Sequence, residues 1–196
     1  VFVVAATGGD AVQCTRGDGP VISMAWAPDG TWLAAVGSPG PANEFLARNN
    51  AELFRVDASG GRAEIPLTAD LDRSTMNMTI DDIWGLEGWG QPPVFSGSGE
   101  VWFPLSDRGS TRIGALSLDT GEIRTVFDPG VVIGFDCSPD SRRTVVLSTT
   151  NDEPGRIDVV DASGKIQPLA WPLADWCGQV EIRRPIELSC SAPGGP

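Results

Sequence analysis

Apolar residues in this chain fall in short runs, broken at intervals by Pro, Asp, Ser and Gly. Trp32 to Val36, Val101 to Leu105 and Thr144 to Ser148 are three such runs. Each follows another apolar stretch and a turn. Met24-Ala25-Trp26 leads into Ala27-Pro28-Asp29-Gly30, Val94-Phe95 into Ser96-Gly97-Ser98-Gly99, and Gly134-Phe135-Asp136-Cys137 into Ser138-Pro139-Asp140-Ser141. Runs this short, bounded by turn residues, predict strands rather than helices. Pro presets φ at the second turn position, Asp caps the turn, and Gly accepts a positive φ.

A second hairpin follows each of these. Leu53 to Gly61 leads to Glu64–Leu67, Ala115 to Gly121 to Ile123–Phe127, and Ile157 to Gly164 to Ile166–Leu169, with Asp57, Asp119 and Asp161 at the turns. Phe95 to Cys137 and Asp119 to Asp161 are both steps of 42 residues, whereas Asp57 to Asp119 is 62. Four strands in about 40–45 residues is the size of one propeller blade. The excess lies in Ala69 to Pro93, read as a long inter-blade loop. The fold expected is all-β, a partial β-propeller of about three and a half four-stranded blades. Residues 1–19 form a half blade with strands Phe2–Ala6 and Ala11–Cys14, and 21–68, 93–128 and 131–170 form whole ones. Trp26, Phe95 and Cys137 take equivalent places facing neighbouring blades. A β-sandwich would not explain turn chemistry repeating at a fixed step.

Composition narrows the chemistry. Gly (24) and Pro (16) are abundant, in keeping with many turns. The net charge of −12 repels phosphate backbones, so no nucleic-acid partner is expected. No apolar run suffices to span a membrane, so no membrane partner is expected either. Cys14, Cys137, Cys177 and Cys190 include no C-x-x-C pair, and the chain has no histidine. Neither a zinc site nor any other cofactor is indicated. The cysteines read as small buried hydrophobes in a reducing, cytoplasmic setting, with a Cys177–Cys190 disulfide as the alternative. Without histidine or a G-x-S-x-G elbow, the chain carries no Ser-His-Asp triad of its own.

Three segments carry a resemblance. Leu67-Thr68-Ala69-Asp70-Leu71-Asp72-Arg73-Ser74, Val101-Trp102-Phe103-Pro104-Leu105-Ser106-Asp107-Arg108-Gly109-Ser110-Thr111 and the Ser138-Pro139-Asp140 turn resemble the propeller of the prolyl oligopeptidase family of serine peptidases, most closely its acylaminoacyl-peptidase branch. The resemblance implies a non-catalytic propeller that gates or shapes access of short peptides to an α/β-hydrolase domain. That domain would lie in the same polypeptide or in a second chain. It also implies that residues 171–196 are a linker toward it, Ile186, Leu188 and Cys190 alternating as in a half-buried strand. No substrate-contacting residue is carried over. The rival reading is a stand-alone propeller scaffold for protein–protein binding. Either way, uncovered faces on the first and last blades predict a homo-oligomer.

The long loop holds Asp70, Asp72, Arg73, Asp81, Asp82, Trp84, Glu87 and Trp89. It is expected to be a contact loop against a partner domain, since aromatic residues favour interfaces. Its carboxylates do not match a regular calcium loop, and no metal is assigned. Asp107 and Arg108 sit in a tight turn. There Asp107 is expected to cap and Arg108 either to be solvated or to reach the channel and pair with a peptide carboxylate. Asn77-Met78-Thr79 fits the glycosylation pattern, which has no meaning in a cytoplasmic chain, and Arg16-Gly17-Asp18 is a three-residue match of the kind that occurs by chance.

Overall fold

A computed structural model describes residues 1–42, 50–79, 90–128, 130–183, 185, 186, 188 and 190. Its strands form three antiparallel four-stranded sheets and one hairpin. The hairpin is β1 (Phe2–Val3) with β2 (Val12–Gln13). The first sheet runs β3 (Val21–Trp26), β4 (Trp32–Gly37), β5 (Glu52–Asp57), β6 (Ile65–Pro66). The second runs β7 (Val94–Phe95), β8 (Glu100–Asp107), β9 (Ser110–Ser117), β10 (Ile123–Phe127). The third runs β11 (Val131–Cys137), β12 (Arg143–Thr149), β13 (Arg156–Asp161), β14 (Ile166–Ala170). A single parallel pairing, Val131 with Thr111, joins the second sheet to the third. This is the order of consecutive propeller blades.

The core lies between blades. Trp32, Ala34, Val36 and Leu53 of the first blade close on Val101, Phe103, Leu105 and Leu116 of the second. Trp102, Ile113, Ala115 and Phe127 on the second blade's other face meet Val132, Phe135, Val146 and Val160 of the third. β1–β2 covers the outer part of the first blade's remaining face, with Cys14 buried against Leu33, Ala35, Phe54 and Val56. Strand alternation thus sends successive side chains to opposite neighbours. Phe103, Phe54 and Leu53 are fully buried.

The inner strands repeat in detail. Ala27, Ser96 and Ser138 each donate their N–H across the first turn, to Trp32, Glu100 and Arg143. That makes Trp26, Phe95 and Cys137 equivalent. Phe95 and Cys137 pack against the preceding blade as expected. Trp26 does not: it is 50% exposed, because β1–β2 stops short of it. β3 and β11 are both irregular at the same place, Ile22 and Ile133.

Two expectations need correction. The step of 42 between Asp119 and Asp161 is not a structural equivalence. Asp57 and Asp161 accept from Ser59 and Ser163 and cap their turns. In the second blade Ser117 holds that place, accepting from Thr120 N–H at 3.2 Å. The loop there is longer, closing from Ser117 to Glu122, which moves Asp119 out of the capping position. β1 and β2 are shorter than expected, because Gly8 and Gly9 take positive φ and the chain turns away. In the tail, Ala174–Cys177 forms a short helix, α1, and the described residues beyond it form no strand. Ile186 and Leu188 are 85% and 88% exposed, and no strand among the described residues pairs with them.

Candidate functional site

In an antiparallel blade, alternate turns share an end. The β3–β4, β5–β6, β7–β8, β9–β10, β11–β12 and β13–β14 turns lie at one end. The β8–β9 turn and the connections between blades lie at the other. The flagged residues that are described, Asp70, Asp72, Arg73, Asp107 and Arg108, lie at this connection end.

The β8–β9 hairpin closes at the Asp107–Ser110 pair, with Arg108 at φ 49° and Gly109 at φ 77°. Both central residues are left-handed, which defines a two-residue type I′ turn. Gly109 suits this, but Arg108 holds a conformation that Asn or Gly would take at lower cost.

The chain leaving β6 folds down on this hairpin. Thr75 donates its N–H and hydroxyl to Ala51 O, at 2.9 and 3.0 Å. Ser106 N–H donates to Ser74 O at 2.9 Å, and Ser106 Oγ accepts from Met78 N–H at 2.9 Å while donating to Met76 O at 2.8 Å. The Thr111 hydroxyl donates to Asn77 Oδ1 at 2.8 Å and meets the Ser106 and Thr79 hydroxyls at 3.1 and 3.0 Å. Asn77 Oδ1 also accepts from Thr79 N–H at 2.9 Å. The Asn77-Met78-Thr79 tripeptide is therefore a structural latch between connection and blade.

Charges lie over this latch. Arg73 Nε is 2.5 Å from Asp107 Oδ1. Arg112 Nη1 approaches Asp107 Oδ2 at 3.7 Å, and Arg112 Nε lies 2.5 Å from Asp128 Oδ1. The Arg112 Nε contact is Coulombic, because it is off the hydrogen-bond direction. Asp107 thus bridges two guanidinium groups instead of capping its own turn. Asn50 Nδ2 donates to Asp72 Oδ1 at 3.4 Å.

Between connection and hairpin is an open cleft of about 750 Å³. Asn50, Asp72, Arg73, Ser74, Ser106 and Arg108 are among its walls. The structure therefore brings Asp72, Arg73 and Arg108 together, and Asp70 stays exposed beside them. Asp81, Asp82, Trp84, Glu87 and Trp89 lie outside the described residues. Sequence reasoning missed Asn50, Ser74 and Ser106 in these walls, because nothing in their local pattern marks a partner far along the chain. No cluster of three or more metal-ligating side chains occurs among the described residues.

At the opposite end a smaller cleft of about 370 Å³ lies between the turns of the second and third blades, with Gly97, Trp102, Arg124, Ser141 and Asp161 among its walls. The main charged group at this end is Glu100, which accepts from Arg124 Nε and Nη2 at 2.8 and 2.7 Å and from Trp102 Nε1 at 3.0 Å. The Arg124 bonds, helped by Trp102 and Ser98, hold its carboxyl down at about 2. The Cys137 thiol is pushed up by burial and by Asp136. All four cysteines are free, so the Cys177–Cys190 alternative is not formed.

No family model matches this sequence. No curated protein matches it either. Among solved structures, the chain is similar to a puromycin-hydrolyzing peptidase of Mycobacterium tuberculosis, with a TM-score of 0.65 at 15% identity, covering 88% of this chain and 24% of that one. It is similar to the Pyrococcus horikoshii acylaminoacyl peptidase, with a TM-score of 0.60 at 16% identity over 92% of this chain and 24% of that one. It is also similar to TolB from Acinetobacter baumannii, with a TM-score of 0.57 at 17% identity over 84% and 35%. The chain spans about a quarter of the two peptidases and about a third of that TolB. Likeness at this identity establishes the β-propeller fold. No helix among the described residues is long and apolar enough to cross a membrane.

Proposed function

We propose that this chain is the non-catalytic propeller portion of an acylaminoacyl-peptidase-like serine peptidase, shaping the access of short peptides to a hydrolase domain. One observation carries the reading: the fold matches a small part of two peptidases, while the sequence holds no histidine to serve as a catalytic base. The connection end is the side offered to the hydrolase domain, with Asp70, Asp72, Arg73 and the residues of 80–89 as its contact loop. There the chain is least repetitive, and the latch of residues 74–79 ties the connection to the second blade. Exposed Val145, Ile166 and Leu169 on the third blade and Trp26 and Met24 on the first support association with another copy or another domain.

The test is to express the whole reading frame that contains this chain and label it with a serine-directed phosphonate. One labelled serine outside these 196 residues, with hydrolysis that declines as peptide length grows, is expected. A frame that encodes no reactive serine would overturn the reading. It would leave the stand-alone scaffold, which the comparable likeness to TolB favours.

A further inference from the structure

The innermost strands of the three blades are unequal. β3 and β11 have six and seven residues, whereas β7 has two. Ile22 and Ile133, where β3 and β11 break register, stand at the same distance before Trp26 and Cys137 as Gln91 does before Phe95. At Gln91 the chain is outside the sheet altogether. Its carboxamide instead pairs with both backbone groups of Phe135 in β11. Phe135 N–H donates to Gln91 Oε1 at 3.2 Å, and Gln91 Nε2 donates to Phe135 O at 3.1 Å. A residue of a neighbouring strand would make the same two bonds. On the other side, Ser23 Oγ of β3 donates to Gln91 O at 3.1 Å. Gln91 thus joins the inner strands of the first and third blades to the second.

The residue type fits the place. Between the first and second blades, Pro93 holds the position of Phe135 and has no N–H to satisfy. The facing residue there is Ile22, which packs on the core between those blades. Between the second and third blades, Phe135 does carry an N–H. Away from β12, β11 pairs only at the Val131–Thr111 bridge. A carboxamide offers a donor and an acceptor on one planar group, which meets both needs of Phe135 at once. Gly134 leaves it room, since a Cβ there would lie 3.4 Å from Gln91 Oε1. We infer that Gln91 is a conformational clamp: its carboxamide stands in for missing inner strand and makes the third blade open and close together with the first two. The clamp acts on the blades themselves and does not depend on the peptide-access reading.

The test is hydrogen exchange of this chain in mild denaturant, with Gln91→Met and Gln91→Glu as variants. Both keep the length of the side chain. Met removes donor and acceptor, whereas Glu keeps the acceptor and loses the donor. In the parent, the slowest amides of β4, β8 and β12 should exchange at one common rate, as parts of a single opening unit. In Gln91→Met, those of β12 should exchange about tenfold faster while β4 and β8 keep the parent rate, the fold-change expected for two lost hydrogen bonds. Gln91→Glu should shift β12 in the same direction by less. Separate rates in the parent, or β12 unchanged in both variants, overturns the inference. So does quickening confined to Phe135 N–H, which would make the contact local. Equal quickening in all three blades also overturns it, because Gln91 would then add stability without joining the third blade to the others.

Discussion

The two ends of the blades are built on different rules. At the short-turn end each hairpin closes with its own residues: Asp57 with Ser59, Asp161 with Ser163, Asp29 with Thr31. The carboxyls of these three Asp are lowered, chiefly by the bonds they accept within their own turns. At the connection end Asp107 turns away from its own hairpin to Arg73, and Thr111 reaches Asn77. Local closure makes an end that repeats and can be read from sequence. Long-range closure makes an end that differs between blades, and its cleft of about 750 Å³ exceeds the roughly 370 Å³ opening between the short turns. One exception sharpens the contrast. Ser141, at φ 54° where Gly30 and Gly99 stand in the other blades, accepts Gly97 N–H at 2.7 Å and ties two neighbouring turns together.

The largest expected effect tests whether the short-turn end rests on blade packing. Trp32 meets Phe95 edge-on at 5.2 Å and lies 4.8 Å under the Arg55 guanidinium. Trp32→Ala should cost about 3–5 kcal/mol, by loss of buried surface and the cavity left behind. A urea midpoint within error of the parent would show that the first two blades do not depend on each other there.

Next is Glu100, whose carboxyl is held at about 2 against an ordinary 4.5. A depressed folded value stabilises the chain above the unfolded value and is lost as protonation sets in. Stability should therefore fall as pH drops from about 5 toward 2, the slope reflecting extra protons bound by the unfolded state. Glu100→Gln should cost about 2 kcal/mol at neutral pH, from the charge-assisted bonds to Arg124, and flatten that part of the acid profile. An unchanged acid limb in the variant would place the sensitivity elsewhere.

At the connection end, Asp107→Asn removes the carboxylate shared by Arg73 and Arg112. Both guanidinium groups are about a third exposed, so the loss should be only about 1 kcal/mol. Hydrogen exchange should nevertheless quicken in residues 72–79, because the charged part of their anchor to the hairpin is gone. Protection unchanged in that segment would mean that the hydroxyl latch alone holds it.

The smallest effect separates Asp161 from Asp119. Asp161→Ala should lower the melting temperature, since Ser163 N–H and Lys165 N–H lose their acceptor. Asp119→Ala should leave it nearly unchanged, because Ser117 caps that turn. Equal shifts would restore the 42-residue equivalence that the hydrogen bonds deny.

Much of the fold was legible. β10 runs over Ile123–Phe127, as its pattern suggests, and β4, β8 and β12 differ from expectation only at their ends. Turn chemistry and alternation are local properties, and they place strands wherever the partner strand is next in sequence. The cleft was half legible: Asp72, Arg73 and Arg108 stood out as charges in unusual loops, whereas Ser74, Ser106 and Asn50 are ordinary polar residues until the chain folds back.

The sequence by itself determined the blade repeat, the strand and turn chemistry, and the lack of a histidine-based triad. Each follows from residue identity at short range. Only the tertiary structure decided that Asp107 serves Arg73 and Arg112, that Asn77 latches to Thr111, and that Trp26 lies exposed where its equivalents are covered. These outcomes depend on how the connection between two blades packs onto the second. Contacts across 34 residues, from Arg73 to Asp107 and from Asn77 to Thr111, leave no mark in the pattern around either partner.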